Sequence, residues 1–270
     1  MSDIVLTAGV RANLLQLQST AATITSTQSK LATGKRVNSA LDNPINFFTA
    51  QGLSNRASDL SNLLDSTATA INTIQAANNG LTSITKLVQS AQALVSQAQQ
   101  TSDTTVRASL ATQFGAIQTQ IDALGGDSGF NGINLLAGNN LTVTLNETGS
   151  SSVTVTAVTF TSAGLGINNA VNNWSTAADI TAAGTNLTAA LTKLRSQAQA
   201  FGSSLSTVQI RQDFTKSMIN TLQTGADSLT LADSNEEGAN LLALQTRQQL
   251  STTALSLASQ ASQAVLRLFQ

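Results

Sequence analysis

Apolar residues recur at alternating steps of three and four near both ends of the chain. Over residues 10–31, the line Val10, Leu17, Ile24 and Leu31 alternates with Leu14, Ala21 and Gln28. Over residues 243–268, small and large apolar residues follow the same spacing. Because an α-helix turns once in 3.6 residues, this spacing places each stripe along one side of a helix, where it forms a seam for another helix.

The positions beside both seams are mostly Ser, Thr, Asn, Gln and Ala, whereas a solitary coiled coil usually carries Glu and Lys there. Such helices favour close packing on several sides over exposure to water. We therefore interpret both ends as assembly elements. The residues expected to form the core seam and the interface between subunits are Val10, Leu14, Leu17, Ile24, Leu31, Leu250, Leu257, Ala261, Val265, Leu268 and Phe269.

The remaining pattern predicts helices separated by short connectors. Gly34 is expected to end the first helix, and the chain's one proline, Pro44, marks the connector that follows. Phe47 and Phe48 are expected to plug a local core after that connector, and contact with a partner is the alternative. The predicted segments are a helix over 10–33, a connector over 34–47, a long helix over 46–100, a helix from about 103 to 126, and helices over 176–224 and from about 236.

A small β-hairpin is predicted in the middle of the chain. Residues 141–146 and 152–160 alternate β-branched or apolar residues with polar ones, and a short loop separates them. Residues 161–175 are expected to be irregular. The fold class is therefore mainly α, a long coiled-coil-like helical bundle with a β-hairpin at about 139–162.

Composition narrows the possible functions. Aromatic residues are 3% and charged residues 10%, and the net charge of −1 gives no reason to expect nucleic acid or an anionic membrane as partner. No run of about 18 apolar residues occurs, so no membrane span is predicted. The first residues lack a basic leader and a continuous apolar core, so we do not expect a cleaved secretory signal.

Catalytic and metal sites are not predicted. The chain has no His and no Cys, which excludes a Ser–His–Asp triad, a Cys–His dyad and the usual zinc sites. Glu236 and Glu237 are interpreted as a charged first helical turn, favoured by the helix dipole, rather than as catalytic carboxylates. No phosphate-binding glycine motif occurs, and no cofactor is expected.

Separate motifs resemble those of bacterial flagellin, and they occur in that family's order. Residues 31–44 (LATGKRVNSALDNP) resemble the family's LSSGxRINSAxDD connector, and 52–57 (GLSNRA) the opening of its long helix. Residues 130–136 (FNGINLL) are similar to the FNGxxLL turn before its hairpin. Residues 244–250 (LQTRQQL) and 264–269 (AVLRLF) resemble the terminal flagellin helix.

The resemblance implies a secreted structural subunit of the extracellular flagellar filament, exported by the flagellar type III pathway. It implies paired terminal helices as an inner domain of residues 1–42 and 230–270, with 43–229 as the outer domain. The implied partners are further copies of the chain, the flagellar cap and hook-associated proteins, and a cytoplasmic export chaperone. The stretch from 139 to 175 leaves no room for an outer decorative domain.

One segment departs from the family pattern. Many flagellins carry QRVREL in the long helix, which an innate-immune Toll-like receptor recognises, whereas this chain has QSAQAL. The loss of both Arg side chains removes charge-assisted bidentate contacts, so we expect a poor receptor agonist. The altered positions and their flanks are Gln89, Ser90, Gln92, Ala93 and Leu94.

Other classes of protein remain as alternatives. A hook–filament junction protein is a structural adaptor that resembles flagellin at both ends. An enzyme is a second alternative, because some flagellins carry a metallopeptidase insert, although the absence of His excludes the usual zinc version. A soluble coiled-coil binding module is a third, and its terminal helices would be well folded in the dilute monomer.

Overall fold

The computed structural model describes residues 8–268, and their side chains except those of Ser262 and residues 265–268. Long α-helices dominate this part of the chain, and the one regular sheet in it is a two-stranded antiparallel hairpin. The elements, in chain order, are α1 (Ala8–Thr33), α2 (Pro44–Gln100), α3 (Thr104–Asp127), β1 (Leu141–Thr144), β2 (Ser152–Val155), α4 (Ser162–Leu165), a 3₁₀ turn (Val171–Trp174), α5 (Ala177–Thr230) and α6 (Ser234–Leu268). The predicted mainly helical fold with a small hairpin is confirmed.

The first helix ends where the sequence predicted. Gly34 follows α1 with a φ of +68°, a left-handed conformation that glycine adopts at little cost. The connector is shorter than expected, because α2 begins at Pro44 rather than near residue 46. Proline is favoured at the first position of a helix, where its missing N–H would have no helical partner. Asn43 caps this helix, since its side-chain oxygen accepts the Asn46 N–H at 3.0 Å.

The chain divides into two compact units. Unit 1 combines the residues up to Asn55 with those from Thr221 onward, and α1 and α6 pack against each other within it. The predicted pairing of the terminal helices is therefore confirmed. The assignment of residues 1–42 and 230–270 to an inner filament domain concerns the assembled polymer and stays a prediction.

Unit 2 comprises Arg56–Asn220 and contains a continuous hydrophobic core. Residues of α2, α3, α5 and the segments around the hairpin meet there. Trp174 is fully buried, and its ring centroid lies 5.0 Å from that of Phe114. Other fully buried members are Ile74, Ile84, Ile121, Leu135, Leu187 and Leu194.

The hairpin is shorter than predicted. Its register pairs Leu141 with Val155 and Thr144 with Ser152, so β2 ends five residues before the expected position 160. The reason is a different partner for the residues that follow. The Val158 N–H donates to the Leu135 carbonyl at 2.8 Å, and the Phe160 N–H donates to the Leu136 carbonyl at 2.9 Å. Residues 158–160 therefore pair with the turn before the hairpin and do not extend the pairing with β1.

The stretch expected to be irregular, residues 161–175, contains the short helix α4 and the 3₁₀ turn. Thr161 caps α4 by accepting the Gly164 N–H at 3.1 Å, and Gly166 ends it with a φ of +81°. The Ser162 N–H also donates to the Asp122 carboxylate of α3 at 2.6 Å. The Thr161 cap and the contact with Asp122, which is distant in sequence, hold this segment in place. The segment has no periodic pattern of its own.

Candidate assembly interface

The buried side of α1 mixes apolar and polar residues. Thr20 and Thr27 are only 3% and 4% exposed, and they are buried as deeply as Ile24. The line of Leu14, Ala21 and Gln28, which the sequence placed in the seam, is exposed instead. The central row of this side is Val10, Leu17, Ile24 and Leu31. The line of Leu14, Ala21 and Gln28 lies on one flank of that row, and the line of Asn13, Thr20 and Thr27 lies on the other. Packing within the subunit covers the polar line of Asn13, Thr20 and Thr27. The buried or half-buried positions are Val10, Asn13, Leu17, Thr20, Ile24, Thr27 and Leu31.

The helix α6 presents three different sides along its described length. Its half-buried side also mixes apolar and polar residues, and it consists of Glu237, Leu241, Leu244, Gln248, Ser251, Leu255 and Ala258. A second side, which we call the leucine side, carries Leu242, Leu250 and Leu257, each more than 60% exposed. A third side is polar and exposed, and it includes Gln245, Thr252 and Ser259.

The predicted interface residues fall into different environments. Ile24 is buried, whereas Val10, Leu17 and Leu31 are half-buried. Leu14 is 41% exposed, Leu250 is 68% exposed and Leu257 is 61% exposed, and Ala261 is also exposed. The side chains of Val265 and Leu268 are not described, and Phe269 lies outside the described residues. That these residues form contacts between subunits stays a prediction.

The two connectors of unit 1 are hydrogen-bonded to each other at the base of the α1–α6 pair. The Arg36 N–H donates to the Thr230 carbonyl at 2.8 Å, and the Ala232 N–H donates to the Gly34 carbonyl at 3.0 Å. The Arg36 guanidinium donates to the Ser228 carbonyl at 3.1 Å. These bonds fix the two connectors relative to each other, at the end of α1 and at the start of α6.

An ion pair adds to this junction. Lys30, in the last turn of α1, donates to the Glu237 carboxylate in the first turn of α6 at 2.9 Å. Glu236 and Glu237 both lie in that first turn, as the sequence predicted. Asp233 caps the same turn by accepting the Asn235 N–H at 2.8 Å. The acidic pair therefore has a structural setting at a helix N-terminus, where the dipole favours negative charge.

The connector between α1 and α2 folds around one carboxylate. Asp42 accepts the Asn38 and Ser39 N–H groups, both at 2.9 Å, and the Ser39 hydroxyl at 3.2 Å. The bonds from the Asn38 and Ser39 N–H groups lower the pKa of Asp42, because they stabilise its charged form. The result is an ordered turn with Leu41 at its tip.

Exposed apolar residues lie in and after this turn, and sequence reasoning considered only one of them, Phe48, as a possible partner contact. Leu41, Ile45 and Phe48 are all largely exposed. The expectation that Phe47 and Phe48 plug a local core is wrong for Phe48, whereas Phe47 is half-buried. The signal available in the sequence was the spacing of four and three from Leu41 to Phe48, which matches one side of a helix.

The segment that departs from the receptor motif lies in unit 2, on α2. Gln89, Ser90 and Ala93 are exposed, whereas Gln92 and Leu94 are half-buried. Gln92 lines a groove together with Thr181 and Thr185 of α5. The side of this segment that reaches solvent therefore carries no charge.

The chain matches two family models that describe bacterial flagellin. The model of the flagellin N-terminal helical region matches residues 7–141, and that of the C-terminal helical region matches residues 184–269. The chain belongs to the bacterial flagellin family. Flagellins are structural subunits of the flagellar filament, a polymer of many copies outside the bacterial cell, and this chain is such a subunit.

Flagellin relatives span nearly all of the chain. Flagellin FljM of Caulobacter vibrioides is 31% identical over 95% of this chain and 94% of that protein. A flagellin of Brucella melitensis is 28% identical over the full length of both proteins. The crystal structure of Bacillus cereus flagellin matches with a TM-score of 0.48 and 22% identity, over 54% of this chain and 86% of that one. The matched family models and these relatives give the junction alternative no specific support.

The flagellin family is a family of structural proteins. Among the described residues, no three or more acidic side chains come together as a metal site would require. In the same part of the chain, no helix combines the length and the apolar character needed to cross a membrane.

Proposed function

We propose that filament subunits contact one another through the leucine side of α6 and through Leu14 and Leu15 of α1. The observation that carries this proposal is the exposure of Leu242, Leu250 and Leu257 along one side of α6. Removing one leucine side chain from water contributes about 1.5–3 kcal/mol. A stripe of such side chains therefore favours association with a neighbouring copy.

The weakness of the α1–α6 pair supports the same proposal. Its contact side includes Asn13, Thr20, Thr27, Gln248 and Ser251, so pairing buries less apolar area than a leucine seam would. Ordering a residue costs about 1–2 kcal/mol of backbone entropy, and a helix of this length needs lateral packing to offset it. We infer that neighbouring copies supply that packing and that the terminal helices gain lasting order in the polymer.

The arrangement in the polymer follows from this role. Residues 1–42 and 230–270 would form the inner domain, with 43–229 outside it. Contacts between two different surfaces of the subunit build an open helical filament if the rotation between neighbours does not close a ring.

Flagellar cap and hook-associated proteins would meet the ends of the filament. Before export, a cytoplasmic chaperone would cover the leucine side of α6, because an exposed apolar stripe invites association.

Replacing one exposed leucine tests the proposed contact. Leu257→Asp puts a charge on the leucine side without touching the half-buried side of α6. We expect unit 2 to fold normally and filament growth to stop, as judged by circular dichroism and by electron microscopy of seeded samples. The matched control is Ser259→Asp, which places the same charge on the polar side of α6 and should leave growth intact. Normal filaments from the Leu257 variant would refute the proposal.

The altered receptor segment leads to a separate prediction. Purified monomer should give a weak response in a Toll-like receptor reporter assay, because Ser90, Gln92 and Ala93 offer no charge for a bidentate contact. The control restores the charges through Ser90→Arg, Gln92→Arg and Ala93→Glu and should respond more strongly. A strong response to the unmodified chain would contradict the prediction.

A further inference from the structure

A second apolar surface lies in unit 1, at the start of α2. Leu41, Ile45 and Phe48, which we call the linker patch, are 96%, 77% and 61% exposed. No charged residue occurs between Asp42 and Arg56. Exposed apolar residues that stand alone are ordinary, but a contiguous group of them marks an interaction surface.

The linker patch is held in a fixed arrangement. Asp42 ties the turn that carries Leu41 through its bonds to Asn38 and Ser39. Asn43 caps the helix that carries Ile45 and Phe48. The Phe48 ring meets the Phe47 ring edge-on, with centroids 5.5 Å apart. A preorganised apolar surface loses little conformational entropy on binding.

Gly52 extends the side of α2 that carries Ile45 and Phe48. It lies one helical turn after Phe48 and is exposed, whereas Ala50 and Ala57 on the other side of α2 are buried. A Cβ atom at Gly52 would meet nothing within 4 Å, so no atom of the described residues requires glycine there. Glycine weakens a helix interior relative to alanine. The missing side chain leaves room for another chain to approach this side of α2 closely.

We infer that the linker patch, with Gly52, forms a contact with a second copy of this chain, separate from the leucine side of α6. The inference rests on the proposed function, because it takes the polymer as the setting. A second copy is the occupant indicated, since the family polymerises and the patch belongs to the same unit as the terminal helices. The patch also closely follows Arg36 and Val37, whose N–H groups donate to the Thr230 carbonyl at the base of the terminal helices.

Two substitutions separate folding from assembly. Gly52→Ala should raise the melting temperature of the monomer, because alanine favours the helix, and should also raise the critical concentration for filament growth, because it blocks close approach. The control for helix propensity is Gly202→Ala in α5, an exposed glycine that likewise has nothing within 4 Å. Phe48→Ser should raise the critical concentration by about tenfold or more. Wild-type critical concentrations for both the Gly52 and the Phe48 variant would overturn the inference.

Cysteine labelling locates the contact directly, since the chain has no cysteine of its own. Phe48→Cys and Leu257→Cys proteins are each copolymerised with excess wild type and treated with a maleimide. Both introduced thiols should react quickly in the monomer and slowly in filaments. Fast labelling of the Phe48→Cys protein in filaments, beside slow labelling of the Leu257→Cys protein, would overturn the linker-patch contact alone. Fast labelling of both proteins in filaments would overturn the proposed α6 contact as well.

Discussion

The turn before α2 depends on a single carboxylate. Asp42 accepts two N–H groups and a hydroxyl from Asn38 and Ser39, although it is exposed. The charged form makes these bonds, so the pKa of Asp42 lies below its ordinary value of 3.8. A lowered pKa in the folded state means that the group stabilises the fold above its ordinary pKa, and that this contribution is lost as the pH falls through the lowered one.

The lowered pKa of Asp42 predicts how the turn responds to pH. The amide resonances of Asn38 and Ser39 should titrate with a midpoint below 3.8, the ordinary value for Asp42, when followed by NMR. Asp42→Ala should remove that titration and loosen the turn at neutral pH. In strong acid, the variant and the wild type should become equivalent at this turn. A midpoint at or above the ordinary value would contradict the bonding scheme.

Single residues also show where sequence reasoning stopped. The left-handed Gly34 and the acidic first turn of α6 were predicted, because each depends on local chemistry. The exposure of Phe48 was not, because an apolar side chain near a connector packs inward in most proteins. Only the arrangement of the whole unit decides which side of α2 is covered.

At the scale of the helix, one glycine reveals close packing. Gly80 lies in the middle of α2, where a Cβ atom would collide with the Ser128 hydroxyl and lie 3.0 Å from Leu136 Cδ1. Gly80 interrupts the apolar spacing of the α2 sequence. The structure explains it as the place where the end of α3 and the following turn press against α2.

Alanine substitutions distinguish this packing from simple helix propensity. Gly80→Ala should destabilise unit 2 by about 1–3 kcal/mol, because the added methyl group forces the neighbours apart. Gly115→Ala in α3, where a Cβ atom meets nothing within 4 Å, should instead stabilise by about 0.5–1 kcal/mol. Urea unfolding of both variants measures the difference. Equal stabilities would show that the contact at Gly80 is not tight.

Two elements show what the periodic pattern could and could not predict. Heptad spacing located α1 and α6 and their apolar rows, because the period of a helix is imposed by its backbone. It did not predict that Thr20 and Thr27 would be buried while Leu14 remained exposed. The hairpin was found from alternation, but its length was not, because Val158 and Phe160 bond to Leu135 and Leu136 and not to β1.

At the scale of the molecule, the two units differ in what holds them together. Unit 2 has a continuous core with fully buried Trp174, Phe114 and Phe201. The α1–α6 pair of unit 1 has a mixed contact side and an exposed leucine side. We therefore predict that the middle of the protein folds by itself and that its ends become ordered by association.

Amide hydrogen exchange tests that claim most directly. In dilute monomer, the amides of α1 and α6 should exchange far faster than those around Ile84 and Leu187 in the core of unit 2, because local opening is cheap where little apolar area is buried. In assembled filaments, α1 and α6 should become strongly protected. If these two helices are already as protected in the lone monomer as the core of unit 2, the account is contradicted.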